Sequence, residues 1–308
     1  MNPEPDAYPI VEVEPDWLSG VEPMGSKDKH WVRLPDDSQP WLFKFSRKSG
    51  GAVTGEHWAE KIVAEVAEVL GVAHAEVELA RLDGHWGSLS RRFEALARSD
   101  TELVHGNDLL AGFVTGYDPQ KRRKQADHTI GNVIRAIGKL FDAEDGAQRG
   151  DALTMLAGYL VLDALVLNTD RHHENWGVLR RVDAQAGATH EIAPSFDHAS
   201  SLARNEPPAK LAAWAHESGR VALYARRGQG GLYWSDSDAK GANPLQLAMD
   251  AAQKWPSYFE PWRVRLGAVQ IKTLELIVDR VPAAAMATES KQFSKALLAH
   301  TLEQLRKL

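Results

Sequence analysis

Through most of the first hundred positions, apolar and polar residues alternate; beyond about Leu103 the apolar positions recur with a helical period. Trp41-Leu-Phe-Lys-Phe45 and Ala75-Glu-Val-Glu-Leu-Ala-Arg-Leu82 have the two-residue period of half-buried strands. Trp31–Leu34 predicts another strand, entered through a short Gly-Ser-Lys turn. Asp36–Pro40 is a turn by composition. Asp83-Gly84 predicts a hairpin turn, with His85–Phe93 as the returning strand. Residues 1–20, with Ile10, Val11 and Val13 as their apolar run, predict an extended arm or edge strand. One segment interrupts this regime. In Gly55–Gly71, Trp58, Ile62, Val66, Val69 and Leu70 fall on one stripe of a helix, and Gly71 supplies its stop. Glu60 lies at the edge of that stripe, whereas Glu56, Glu65 and Glu68 are assigned to solvent. Ser46–Thr54, polar and basic, predicts a mobile loop.

In the remainder, His105–Leu110 predicts the start of a helix, and His128–Phe141 and Ala152–Leu167 predict amphipathic to fully apolar helices. Trp176–Leu179 and His190–Ala193 predict a small hairpin. Arg204–Lys210 and Trp214–Arg227 are polar connections to which no element is assigned. Pro244–Lys254, Arg263–Arg280 and Thr288–Leu305 predict scaffold helices. The change of period divides the chain into residues 1–102, mixed β with one embedded helix, and residues 103–308, mainly helical.

The candidate chemistry sits where the long apolar run ends. Leu167–Leu179 places Asp170, His172 and Asn175 within six residues. An Asp and an Asn five apart have the spacing of a kinase catalytic loop, in which the Asp accepts the substrate hydroxyl proton and the Asn holds magnesium. The same pair also fits a solvated turn with an Asx cap. A second carboxylate, Asp197, follows in Ala193–Leu202. Magnesium takes one or two protein carboxylates and completes its shell from phosphate and water, so two such islands suffice. Lys44 sits on a strand between two phenylalanines, on the opposite face from them; it either meets solvent or reaches nucleotide phosphates. Glu60 could pair with it from the embedded helix. His172-His173-Glu174 lacks the His-Glu-x-x-His spacing of a zinc site. Lys121-Arg-Arg-Lys124 is a basic loop, either a solvated face or a contact for a substrate or anionic peptide.

Composition narrows the choice. A net charge of −6 argues against a broad nucleic-acid surface. The absence of cysteine removes disulfides, thiolate catalysis and cysteine zinc sites. The acidic, Pro-rich start has no signal-peptide pattern, and no apolar run reaches membrane-spanning length. A cytoplasmic protein with no membrane and no direct nucleic-acid partner is expected.

Asn168-Thr-Asp170-Arg-His172-His-Glu-Asn175, followed by Phe196-Asp197 and Ser200-Ser201-Leu202, resembles the kinase core of HipA-like serine/threonine kinases. Leu42-Phe-Lys44, Gly55–Gly71 and Arg91-Arg-Phe93 have the same order and spacing as in that family. The resemblance implies an α+β, two-lobed protein-kinase-like fold, with a nucleotide-binding lobe over 1–102 and a catalytic lobe over 103–308. It implies Asp170 as catalytic base, Asn175 and Asp197 as magnesium ligands, and Lys44 as the phosphate-binding lysine. Glu60 would partner Lys44, His172 would brace the loop, and Gly25, Ser26 and Lys27 would lie near the phosphates. ATP and Mg²⁺ would be the cofactors and a protein Ser or Thr the acceptor. A toxin role with an antitoxin partner has precedent among these kinases. The expected type is the short, single-chain one without the extra N-terminal domain of long HipA toxins. A kinase for a small molecule or lipid headgroup, and a nucleotide-binding interaction module with little transfer, remain alternative readings.

Overall fold

The computed structural model describes residues 6–21, 29–141, 146–185, 187–215 and 217–308. The Gly25-Ser26-Lys27 turn lies outside the described residues. Strands β1 (Ile10–Val13), β2 (Leu18–Val21), β3 (Lys29–Val32) and β4 (Trp41–Phe45) come first, then a short ribbon, β5 (Lys48–Ser49) and β6 (Ala52–Val53). Helix α1 (Glu56–Leu70) precedes β7 (Val77–Leu82) and β8 (His85–Arg91). These strands, the ribbon apart, form one sheet in the order β1-β7-β8-β4-β3-β2, parallel only between β1 and β7. The arm of the first twenty residues thus supplies both edges. The predicted hairpin turn is formed by Asp83 and Gly84, both with positive φ, 49° and 73°.

The alternation on β4 gives its two faces different tasks. Phe43 stands opposite Leu89 and packs with Val13, Val32, Trp41, Ala80 and Leu82 on one face. Full burial of such a side chain contributes about 1.5–3 kcal/mol. Lys44 stands opposite Ser88, which stands opposite Leu79. Leu79 belongs to the core formed with Ile62, Val63 and Val66 of α1, so Lys44 lies on the helix-covered face. Gly71 ends α1 in the left-handed conformation, φ 72°, its N–H donating to Ala67 O.

Two side-chain assignments on α1 are corrected. Val69 is 40% exposed and outside the stripe, and Glu56 is buried at 3% because Arg204, distant in sequence, reaches its carboxylate. Ser46–Thr54, expected as a loop, contains the β5–β6 ribbon, Lys48 opposite Val53.

The second lobe contains β9 (Thr101–His105), α2 (Gly106–Phe113), α3 (Ile130–Phe141), α4 (Gly146–Val166), β10 (Gly177–Asp183) and β11 (Gly187–Ile192). It continues with α5 (Pro208–Ala215), α6 (Ser218–Arg227), α7 (Pro244–Lys254), α8 (Pro256–Ala268), α9 (Ile271–Asp279) and α10 (Thr288–Leu305). Helix α4 is its axis: Val161, Leu162, Ala164, Leu165 and Val166 are fully buried against the surrounding helices. The predicted hairpin is β10–β11, and β9 completes its sheet in the order β11-β10-β9. β9 therefore belongs with the site-bearing hairpin, although residue 102 lies inside it. The polar connections contain α5 and α6, and the single helix expected over Arg263–Arg280 is two, α8 and α9, broken where Val269 is extended. Among the described residues no helix is long and apolar enough to cross a membrane. The architecture is α+β and two-lobed, a β-rich lobe with one helix above a mainly helical lobe.

Candidate active site

Helix α4 ends abruptly into the Asn168–Asn175 loop. Leu167 takes a left-handed φ of 51°, and the freed Val166 carbonyl accepts the Leu202 N–H at 3.0 Å. Asp163, one turn back on α4, anchors this loop. Its carboxylate accepts the Asn168 Nδ2 at 2.8 Å and two parallel bonds from Arg171, each 2.7 Å. Arg171 also donates to the Asn175 carbonyl at 2.7 Å and to Ser195 Oγ at 2.9 Å. The Asp163 and Arg171 side chains are 5% and 6% exposed. Burial would lower the guanidinium pKa, but the Asp163 charge more than offsets this and holds it above its ordinary value. Arg171 is thus the loop's brace. His172 accepts the Glu174 N–H at its Nδ1, 3.2 Å, and lines the cleft. His173 is an internal strut: 1% exposed, its Nδ1 lies 2.7 Å from the Tyr117 hydroxyl.

The same network reaches the second island. Ser195 Oγ, which accepts from Arg171, lies 2.7 Å from His198 Nε2. Burial, and next the Arg171 charge, push the His198 imidazole well below its ordinary pKa, so it is neutral and accepts the serine proton. The His198 N–H donates to Glu60 Oε1 at 2.8 Å, tying α1 to the Asp197 segment. Asp197 itself has φ 59°, and Leu167, Leu202 and Ala203 are likewise left-handed. Non-glycine residues in this region store strain that the surrounding bonds must hold.

Lys44 and Asp197 meet across the two lobes, Nζ to Oδ1 at 3.3 Å. Burial alone would pull the Lys44 pKa down, but the charges of Asp197 and Glu60 override it and hold the ammonium above its ordinary value. Asp170 and Asn175 line the same cleft, whose volume is about 440 Å³. Asn175 donates its amide to the Asp170 carbonyl at 2.7 Å, fixing one residue against the other. The Asp170 carboxylate opens to solvent through the cleft and accepts the Ser200 hydroxyl at 3.3 Å. Crowding by the cleft walls raises its pKa, with Asp197 reinforcing and His172 and Arg204 opposing. Phe93 and Phe196, ring centroids 5.9 Å apart, give the cleft an apolar wall.

Of the residues predicted to form a site, Lys44, Asp170, His172, Asn175 and Asp197 share this cleft, and Glu60 lies behind it against His198. Gly25, Ser26 and Lys27 lie outside the described residues. Three contributors escaped sequence reading. Asp163 and Arg171 left one signal, a lone carboxylate inside the apolar run eight residues before an arginine. Arg204, which grips Glu56 and donates to Ser200 Oγ at 2.8 Å, left none.

The fold and this cleft define a two-lobed protein of the kinase-like class. The chain belongs to the HipA-like C-terminal domain family, whose model matches residues 19–256. Among solved structures it is similar to the Helicobacter pylori proinflammatory kinase CtkA, at 18% identity and TM-score 0.73, over 97% of this chain and 98% of that one. It is also similar to Shewanella oneidensis HipA, solved with HipB and operator DNA, at 14% identity and TM-score 0.51, over 98% of this chain and 66% of that one. No curated protein sequence matches it.

Proposed function

We propose that this protein transfers the γ-phosphoryl group of ATP to a Ser or Thr hydroxyl of a protein substrate, with magnesium. One observation carries the reading: Lys44 of the β-rich lobe and Asp197 of the helical lobe approach to 3.3 Å over a cleft that also holds Asp170 and Asn175. The roles follow from the chemistry of each group. Asp170 orients the acceptor hydroxyl and takes its proton; its raised pKa makes it a stronger base than a carboxylate at its ordinary value. Lys44 presents a fixed positive charge to phosphate oxygens. Asp197 and the Asn175 carboxamide oxygen form a hard oxygen donor set that fits magnesium, one carboxylate and one neutral ligand. When bound, the ion neutralises charge on the transferring phosphates. Glu60 and Arg171 hold these groups in place. The Phe93–Phe196 wall gives an adenine ring an apolar surface, and Gly25, Ser26 and Lys27 are assigned to the phosphates. The β-rich lobe serves as the nucleotide-binding lobe and the helical lobe as the catalytic one, with the boundary expected at 102/103 moved ahead of β9 so that Thr101–His105 stays with the second.

Because HipA is solved with HipB as a toxin–antitoxin system, the proposal extends to a protein partner of the antitoxin type. The test is incubation of the purified protein with labelled ATP, magnesium and cell lysate. Asp170→Asn is expected to lower transfer by about 10²–10⁴-fold, the usual contribution of general-base catalysis, with circular dichroism unchanged. Full transfer by the folded variant would sink the assignment.

A further inference from the structure

The basic run Lys121–Lys124 has no part in the chemistry above, yet Arg122 and Arg123 line the same cleft as Asp170. All four side chains are exposed. The loop between α2 and α3 that carries them is pinned from behind. Gln125, buried at 5%, donates its Nε2 to the Asp118 carbonyl at 2.7 Å, and Asn107 donates to the Pro119 carbonyl at 3.3 Å. Lys124 is held in a left-handed conformation, φ 54°. The two amide N–H groups, from Asn107 and Gln125, hold the loop's backbone from the protein side and give it a definite shape.

Its placement beside the cleft is also fixed. Arg122 Nε donates to Glu174 Oε1 at 3.1 Å, one residue from Asn175. Of the nearby carboxylates, Glu174 is engaged by Arg122, and Asp118 accepts the Gln120 N–H; Asp127 is half-buried. Lys121, Arg123 and Lys124 have no ion-pair partner among the described residues. Of these three uncommitted cations Arg123 lines the cleft, and Lys121 and Lys124 flank it on the same loop, in a protein with net charge −6. Such a concentration of one sign draws opposite charge and repels like charge. Four consecutive cations on one loop form a short patch, sized for a peptide segment rather than for a nucleic-acid face.

We propose that the Lys121–Lys124 loop is the substrate-docking surface of the cleft, and that it takes an acidic protein segment flanking the acceptor hydroxyl. This rests on the phosphotransferase reading and adds the class of substrate. The test uses three labelled probes: a peptide with one serine among glutamates, its counterpart with lysines, and a single-stranded RNA oligomer. Anisotropy with the full chain is expected to rank the glutamate peptide first, with binding that weakens as salt rises. The variant Lys121→Glu, Arg123→Glu, Lys124→Glu leaves Arg122 on Glu174 and is expected to weaken that peptide at least about tenfold, the combined effect of several exposed charge pairs. Equal binding of both peptides, an unaffected triple variant with an unchanged melting temperature, or tighter RNA binding would each overturn the docking surface. A glutamate peptide that binds in this charge-dependent way but is never phosphorylated by the chain with ATP and magnesium would instead overturn the transfer reaction and leave an acidic-partner surface.

Discussion

Below the cleft, the Asn168–Asn175 loop hangs from α4 by two parallel bonds of 2.7 Å between Arg171 and Asp163, out of reach of solvent. Above it, Lys44 meets the helical lobe through one contact, to Asp197 at 3.3 Å, whose carboxylate is 25% exposed. The floor is satisfied inside the protein, so its geometry exists before any ligand arrives. The roof is satisfied across the cleft, by a group that a cation or phosphate would share. Buried polar groups paired within one lobe belong to the stability of the fold, and a pair that spans the cleft, with its carboxylate partly exposed, belongs to its function. The two regions should therefore fail in different ways when cut.

The largest effect is expected at the floor. Arg171→Ala strands the Asp163 carboxylate in the core, and removing one member of a buried pair costs about 3–5 kcal/mol. Urea unfolding of the purified variant reads this directly. Arg171→Lys should recover only part of it, because an ammonium cannot make the two-pronged contact. A loss below about 1 kcal/mol, as for an exposed pair, would erase the distinction between the two regions.

That distinction also explains what was legible in the sequence. β4, α1, α7, α10 and the β10–β11 hairpin declare themselves by local periodicity and by turn or stop residues such as Gly71. Asp170, Asn175 and Asp197 were visible because the spacing of one short loop and a lone carboxylate carry the signal. What stayed hidden depends on partners distant in sequence. Glu56 looks like any helix glutamate until Arg204, 148 residues away, turns it inward. The apolar spacing across Val269 runs on as if in one helix, and only packing separates α8 from α9. α5 and α6 bury few residues, among them Leu211, Val221 and Ala225, too few to stand out in a polar stretch. The floor's key pair was hidden in the same way: Arg171 read as one more polar loop residue, and its partner sits on the preceding helix.

At the roof the order of effects reverses. Lys44→Met keeps the unbranched apolar stem of the side chain, one atom shorter, and removes a charge whose burial is unfavourable. Asp197, still partly exposed, can be hydrated. Stability should change by no more than about 1 kcal/mol, because the desolvation cost of the buried ammonium offsets the loss of its attraction to Asp197. Phosphoryl transfer should fall by about 10²–10³-fold, the usual cost of losing one preorganised electrostatic group. Paired urea-unfolding and transfer assays on one preparation check this. A variant that unfolds early and retains transfer would place Lys44 with the floor.

The smallest effect is the most specific, because it asks whether Asp170 lies on the floor structurally while serving the cleft. Its carboxyl holds a proton more tightly in the folded protein than at its ordinary value of 3.8, chiefly because the crowding cleft walls displace part of its hydration. A group with a raised carboxylate pKa binds more proton folded than unfolded. Its ionisation therefore lowers stability as pH rises from below 3.8 through the folded value, and the loss persists at neutral pH. Asparagine has no charge to desolvate and can still accept the Ser200 hydroxyl. Asp170→Asn should then melt slightly higher than the wild type at neutral pH, with the gap closing on acidification toward the ordinary carboxylate range. All other titrating groups are common to both proteins, so they largely cancel in the difference between the two melting curves. A variant that melts lower at neutral pH, or a gap constant with pH, would mean that the bonds around Asp170 stabilise its charged form and that the cleft stores no such cost.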